Sequence, residues 1–345
     1  MRFNRSLLLA SILALPATLI ACGGDDGGNN NGGPDGGGNP PAGTHYGYVV
    51  NKANVAPTTA AGHTYLDYGL DLGSGTGPAL DNKVDNQIGQ ALLALSGFFD
   101  IQGTVDTAIN TGSIILLVDF QTADFANSGA AGLQVKFGAN PTPAACTNPA
   151  DPATCGQHLK GGASFTVAPN SPADAALTGK IVNGTFNSDS GNVSLAIAIG
   201  DAATPVQIDL VHARVKASTI SADGIMTANV GGLVTQTALQ TSIAPAILNS
   251  IQTLVTASGC KADGDPKANP VCGCTANTTG ATVMGLLDGD VNVANKDCKI
   301  TLDEVLGFPA VQAVLKPDAC SQATCTAPDS YSLGVQVTAV KATIK

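Results

Sequence analysis

The sequence predicts an α+β fold dominated by β-structure: an antiparallel sheet, as a sandwich or half-barrel, with a few packed helices and a disulfide-rich C-terminal elaboration. Three observations lead there. From Ser164 to Val230, short apolar runs are separated by the turn pairs Asn183-Gly184, Ser190-Gly191, Gly200-Asp201 and Asp223-Gly224. That spacing suits antiparallel strands better than βαβ units. Among the 26 acidic residues, Glu304 is the sole Glu; Asp favours turns and caps, whereas Glu favours helix interiors. All cysteines except Cys22 lie from Cys146 onward, which places the cross-links late in the chain.

Taken in order, Tyr46–Val55 reads as a first strand and Leu66–Gly77 as a strand followed by a loop. Asp81–Leu95 has helical spacing, with Val84, Ile88, Ala91, Leu92 and Leu95 near one face and Phe98 and Phe99 closing it. Val105–Asn110 is a short helix or turn. The dense apolar run Ile114–Phe120 reads as a buried strand, with Leu133–Phe137 its neighbour. Asn140–Gly162 is a Pro-rich excursion. Strands follow at Phe165–Val167, Lys180–Phe186, Val193–Ile199, Val206–Ser218 and Gly224–Val230. Strict alternation in the fourth of these puts Ile208, Leu210, His212, Arg214 and Lys216 on one side, and Val211, Ala213 and Val215 on the other. Leu239–Val255 returns to helical spacing, with Pro245 in its first turns. Val283–Leu287 and Leu302–Leu315 are short helices, and Ser332–Ile344 is a final strand expected to insert into the main sheet. Residues 44–345 therefore read as one domain with an insertion at about 256–328.

Composition narrows the class. The 345-residue chain carries a net charge of −10, which argues against nucleic acid, since phosphate binding needs a basic patch. Charged residues are 12% and aromatics 4%, with no Trp. The core must be Val, Ile, Leu and Ala, and solubility must rest on Asn, Thr, Ser and Gln, as in an extracytoplasmic protein.

The N-terminus supplies an address. Arg2 and Arg5 precede the apolar run Leu7–Ile20, interrupted by Pro16 and ending in Leu19-Ile20-Ala21-Cys22. This resembles the lipobox of bacterial lipoproteins. The resemblance implies a signal peptide over residues 1–21, lipidation of Cys22 and anchoring to a membrane. Residues 22–43, almost entirely Gly, Asn, Asp and Pro, read as a flexible tether. Gly23, not Asp, follows the cysteine; under the enteric sorting rule that implies the outer membrane, on its periplasmic or surface face.

With Cys22 assigned to lipid, Cys146, Cys155, Cys260, Cys272, Cys274, Cys298, Cys320 and Cys325 form an even set, as expected of disulfides in an exported chain. Cys146 with Cys155, and Cys320 with Cys325, read as local pairs. Cys260, Cys272, Cys274 and Cys298 are left to cross-link the C-terminal region. Zinc is the rival reading there, although no His lies near in sequence.

One motif carries metal chemistry. Residues 288–304 offer Asp288, Asp290, Asn292, Asn295, Asp297 and Glu304 as candidate Ca2+ ligands, because calcium takes six to eight oxygens from closely spaced side chains. Asn295, Asp297, Ile300 and Glu304 fall at offsets three, five, eight and twelve of an EF-hand loop. Offset one is then Val293, and offset six, normally Gly, is Cys298. Asp288, Asp290 and Asn292 form a good first half placed five residues early. Thr301 to Glu304 is equally a helix capping box that needs no metal. The segments DNQIGQALLAL (Asp85–Leu95), SIILLVDF (Ser113–Phe120), NKDCKITLDEV (Asn295–Val305) and DSYSLGVQVTAVKA (Asp329–Ala342) resemble uncharacterised myxobacterial-type lipoproteins. That resemblance implies an envelope protein and no activity. The loop of those proteins usually has Asp at offset one, where this chain has Val293.

No catalytic constellation stands out. His45, His63, His158 and His212 are far apart, no Gly-x-Ser-x-Gly elbow occurs, and Gly73–Gly77 lacks the Lys of a phosphate loop. The expectation is a non-catalytic envelope lipoprotein that binds the membrane through its lipid and a protein or envelope component through its folded domain. A carrier of lipid or another hydrophobic ligand is the first alternative and would need a large apolar cavity. An exported hydrolase is the second and would need convergent His, Asp or Ser side chains.

Overall fold

The structure, a computed structural model, describes residues 41–55, 64–73, 80–97, 100–148, 150–199, 205–289, 296–322 and 324–345. Strand β1 (Thr44–Asn54) leads, through a 3-10 turn at Tyr65–Tyr68, into helices α1 (Gln87–Leu95) and α2 (Ile101–Thr111). Strands β2 (Leu116–Thr122), β3 (Ser128–Thr142), β4 (Ala163–Val167), β5 (Leu177–Val182), β6 (Thr185–Ser188), β7 (Gly191–Ile197), β8 (Val206–Ser221) and β9 (Gly224–Thr235) follow. Helices α3 (Gln236–Ala238), α4 (Ala244–Ala257), α5 (Thr279–Leu287), α6 (Leu302–Gly307) and α7 (Pro309–Val314) precede the last strand, β10 (Ser330–Ile344).

The β-dominated, antiparallel prediction holds, but the sheet is neither a sandwich nor a half-barrel. Eight strands close on themselves in the ring order β1, β2, β3, β5, β6, β8, β9, β10, and each neighbouring pair is antiparallel. Two pairings decide closure: β1 with β10, and β3 with β5. β4 lies outside the ring, antiparallel to β3 and parallel to β10, and β7 pairs with β8.

An eight-stranded barrel is just wide enough for side chains to fill. Three aromatic residues do so here. The Tyr48 hydroxyl donates to the Ser221 carbonyl at 2.7 Å, joining β1 to β8, three strands away around the ring. Phe120 on β2 meets Phe186 on β6 edge to face, with ring centroids 5.2 Å apart. All three side chains are fully buried, each contributing roughly 1.5–3 kcal/mol of apolar burial.

The barrel has two unlike rims. One is built of turns: Gly184 N–H donates to Ala126, Lys341 N–H donates to Asp223, and Thr44 opens β1 opposite Thr122. The other carries the helices. Gln102 of α2 bonds Ala53 and Val55 at the end of β1, Gln87 of α1 bonds Ser332 near the start of β10, and α3 continues directly from β9. Helices α1 and α2 pack into the barrel core. A second cluster, including Ile251, Val255, Val283, Met284, Ile300 and Val305, forms between α4, α5 and α6.

Two local readings need correction. Leu66–Gly77 is no strand: Tyr65–Tyr68 is a 3-10 turn, and a single bridge joins Leu70 to Asp85, with residues 74–79 outside the described set. Strict alternation in β8 also fails. His212 adopts φ +51° at a bulge between Val211 and Arg214. The extra residue resets the register, so Ile208 and Leu210 before it, and Ala213, Val215 and Ala217 after it, are all buried. The helix around Pro245 forms, but through a π turn at Leu239–Ile243, a register change at the place where proline lacks a donor.

Candidate functional site

The cysteines pair as Cys146–Cys155, Cys260–Cys274, Cys272–Cys298 and Cys320–Cys325. Both local pairs match the sequence reading, and the four remaining cysteines cross-link the C-terminal region, as expected. Cys22 lies outside the described residues.

The candidate metal loop sits between α5 and α6. Thr278 caps α5 by accepting from Ala281 N–H, and Thr301 caps α6 by accepting from Glu304 N–H at 3.3 Å. The Glu304 carboxylate turns back to accept from the Thr301 N–H at 2.7 Å and its hydroxyl at 2.8 Å. This is the capping box legible in the sequence. Asp288, fully buried, follows α5. Its carboxylate accepts from the N–H groups of Asp297 at 3.1 Å and Cys298 at 3.0 Å. Burial, partly offset by these two bonds, pushes its pKa above the usual carboxylate range, and the charges of Asp297 and Glu304 add to the rise. Cys298 takes φ +64°, the left-handed turn for which an EF-hand uses Gly. Asp288 thus faces offsets five and six of the second half-motif. Val293, assigned to offset one by spacing, lies outside the described residues, as do Asp290, Asn292 and Asn295.

Asp288, Asp297, Asp303 and Glu304 line an open cleft of about 740 Å³ together with Lys296 and Phe308. The Lys296 ammonium donates to the Gly285 carbonyl. As a test of fit, the described residues supply four carboxylates, and those of Asp288, Asp297 and Glu304 already accept protein hydrogen bonds. A six-oxygen shell would have to draw on side chains outside the described set. The Cys272 and Cys298 sulfurs lie beside Asp288, with Cys272 Sγ 3.6 Å from its Oδ2, but they are bonded to each other. They offer zinc no thiolates in this state.

The histidines fall in separate places. His45 Nδ1 lies 2.9 Å from the Asp119 carboxylate on the outer wall, with Lys136 3.8 Å from the same group. His158 is buried edge-on against Phe165, and burial holds its imidazole below the usual range, opposed by the nearby Ile109 backbone. Neither of its ring nitrogens meets hydrogen-bond geometry. His63 lies outside the described residues. His212 meets the Ser190 hydroxyl and the Ser321 carbonyl. Sequence reading singled out no partner for His212, because Ser190 reaches it only through the pairing of β7 with β8.

An apolar groove of about 90 Å³ runs between α1, α5 and α7, lined by residues such as Leu95, Val283, Leu287, Phe308, Val311 and Leu315. Among the described residues no helix is long and apolar enough to cross a membrane. No family model, curated protein or solved structure matches the chain.

Proposed function

We propose that this chain is a lipid-anchored module of the bacterial cell envelope, held at the outer membrane through Cys22, that works by binding a protein or envelope component rather than by catalysis. The observation carrying this reading is the polarity of the barrel. Thr44, the first strand residue after the tether, sits on the turn rim, and the disulfide-linked helical cap occupies the opposite rim. A tether entering one rim leaves the other free to meet a partner. Aromatic packing in the lumen favours a surface function over an internal one. The carrier alternative is weaker, because a groove of about 90 Å³ is well below the roughly 300–1,000 Å³ of ligand pockets.

Two measurements test this reading. In a Gram-negative host, the full chain should partition with membranes and Cys22→Ser should become soluble; membrane retention of the variant overturns the anchor. Photo-crosslinkers placed at Leu286 on the cap and Asn183 on the turn rim should capture envelope partners from Leu286 alone. Equal capture from both, or capture from Asn183 alone, overturns the assignment of the cap.

Calcium stabilisation is a second reading, supported by the fully buried Asp288 carboxylate at the head of an acidic cleft. Calorimetric titration of the oxidised protein should show binding in wild type that Glu304→Gln weakens at least about tenfold. Absence of heat in wild type ends the metal reading.

A further inference from the structure

We infer that Ser190 is an acyl-accepting hydroxyl activated by His212, a covalent modification site for neutral or cationic acyl esters. The argument begins with the proton on the imidazole. His212 Nε2 lies 2.8 Å from the Ser321 carbonyl oxygen. A carbonyl can only accept, so in the neutral ring Nε2 carries the hydrogen and Nδ1 carries the lone pair. Ser190 Oγ stands 3.5 Å from Nδ1, with its hydroxyl as the donor. That separation is long for a formed hydrogen bond and within the range of apo sites that tighten on reaction. Base, nucleophile and orienting group are therefore all present.

The arrangement is held from three sides. The β8 bulge, with His212 at φ +51°, keeps Leu210 and Ala213 both inward and leaves the histidine partly exposed beside the turn that carries Ser190. A positive φ is uncommon for a residue other than Gly and costs free energy that the surroundings must offset. Ser321 is fixed in turn: its N–H and hydroxyl donate to the two Asp329 carboxylate oxygens at 2.7 and 3.0 Å. Cys320–Cys325 clips the same loop. Burial alone would raise the Asp329 pKa, but hydrogen bonds from Ser321 and Ser330 hold it below the usual range. Asp329 thus acts through Ser321 as a positioning residue.

Neighbouring residues set the donor class. Asp189 directly precedes Ser190 in the same turn, its carboxylate accepting from the Thr178 hydroxyl at 3.0 Å. This carboxylate and the chain's net charge of −10 repel anionic acyl phosphates and admit neutral or cationic esters. In the reaction, Ser190 Oγ attacks the acyl carbon as its proton passes to His212 Nδ1. The acyl–oxygen bond to the leaving group then breaks, and Nδ1 returns the proton to the departing oxygen. An ester forms at Ser190 and an alcohol is released, with no redox partner.

The test uses the full chain and three probes: nitrophenyl acetate (neutral), acetylcholine (cationic) and acetyl phosphate (anionic), read by intact mass and peptide mapping. One acetyl group should appear at Ser190, at least about tenfold faster from the first two probes than from the third. His212→Gly suits the positive φ and should slow labelling about 10²-fold. Added imidazole should restore at least about a tenth of that loss, which a purely structural histidine would not allow. Ser190→Ala, with circular dichroism matching wild type, should take up none at that peptide. Labelling confined to lysines, labelling of Ser190 unchanged in His212→Gly, or equal rates from all three probes overturns the inference.

Discussion

Asn86 does the work of a strand residue from outside the strand. Its amide oxygen accepts from Gly334 N–H at 2.8 Å and from Gly89 N–H at 3.0 Å, capping α1. Its amide nitrogen donates to Tyr65 and Gly334 carbonyls at 2.6 and 3.2 Å. Gly334 permits this because a Cβ there would lie 2.6 Å from the Tyr68 carbonyl oxygen and from Gly69 Cα. Asn86→Ala leaves buried backbone groups unpaired and should cost about 3 kcal/mol in urea denaturation; a loss below about 1 kcal/mol would mean those groups find other partners. The adjacent Asp85 is under opposite stress. Burial, and then the charges of Asp318, Asp81 and Asp71, push it up to about 6, against the pull of the Leu72 N–H. Between the ordinary value of 3.8 and about 6, the native state keeps a proton that the unfolded chain has lost. Stability is therefore greatest below that window and falls as pH rises through it. Burial raises Asp318 as well, with the same sign. Asp85→Asn should raise the unfolding midpoint at neutral pH, by about 1 kcal/mol, and leave it unchanged in acid below the window. An equal shift at both pH values would assign the effect to packing instead of charge.

At the scale of elements, most strands and helices were legible in the sequence, and their pairing was not. Asn183-Gly184 marked the β5–β6 hairpin because both residues take the positive φ that this turn requires. The apolar spacing of Asp81–Leu95 located α1, though its first turn starts later, at Gln87, where Asn86 caps it. The β8 bulge was illegible, since one residue at positive φ inverts the side chains that follow it as far as Ala217 while the letters still alternate. The capping box at Thr301 was readable, but the partners of Asp288 were not, because they are backbone N–H groups nine and ten residues further on, which carry no side-chain signal. The Asp288 carboxylate ties the far side of its loop to the end of α5. Asp288→Ala should speed amide hydrogen exchange at Asp297 and Cys298 at least about tenfold and leave β8 and β9 unaffected. Unchanged exchange at both amides would show that the disulfide alone holds the loop.

At the scale of the molecule, the described residues divide their apolar packing among the barrel core, the smaller cluster behind α4, which contains Cys272, Cys274 and Cys298, and a minor cluster of Leu72, Leu233 and Ala319. Cysteine count and spacing predicted the cross-links of the C-terminal region. Ring closure was beyond such reading, because it depends on strands far apart in sequence finding each other. Replacing Cys272 and Cys298 together by Ser should lower protection across α5 and α6 by about 2–4 kcal/mol while the barrel strands keep theirs. A uniform loss throughout would show a single cooperative unit. The pairing of β1 with β10 reaches further still. Val49 finds Val340 across nearly the whole described chain, and β10 also supplies the neighbour that β9 and β4 need. A nascent chain lacking β10 bares edges of β1, β9 and β4 and cannot seal its lumen. Closure of the ring thus waits for β10. The zipper's last tooth acts as a timer, keeping the ring open and the chain pliable until β10 arrives.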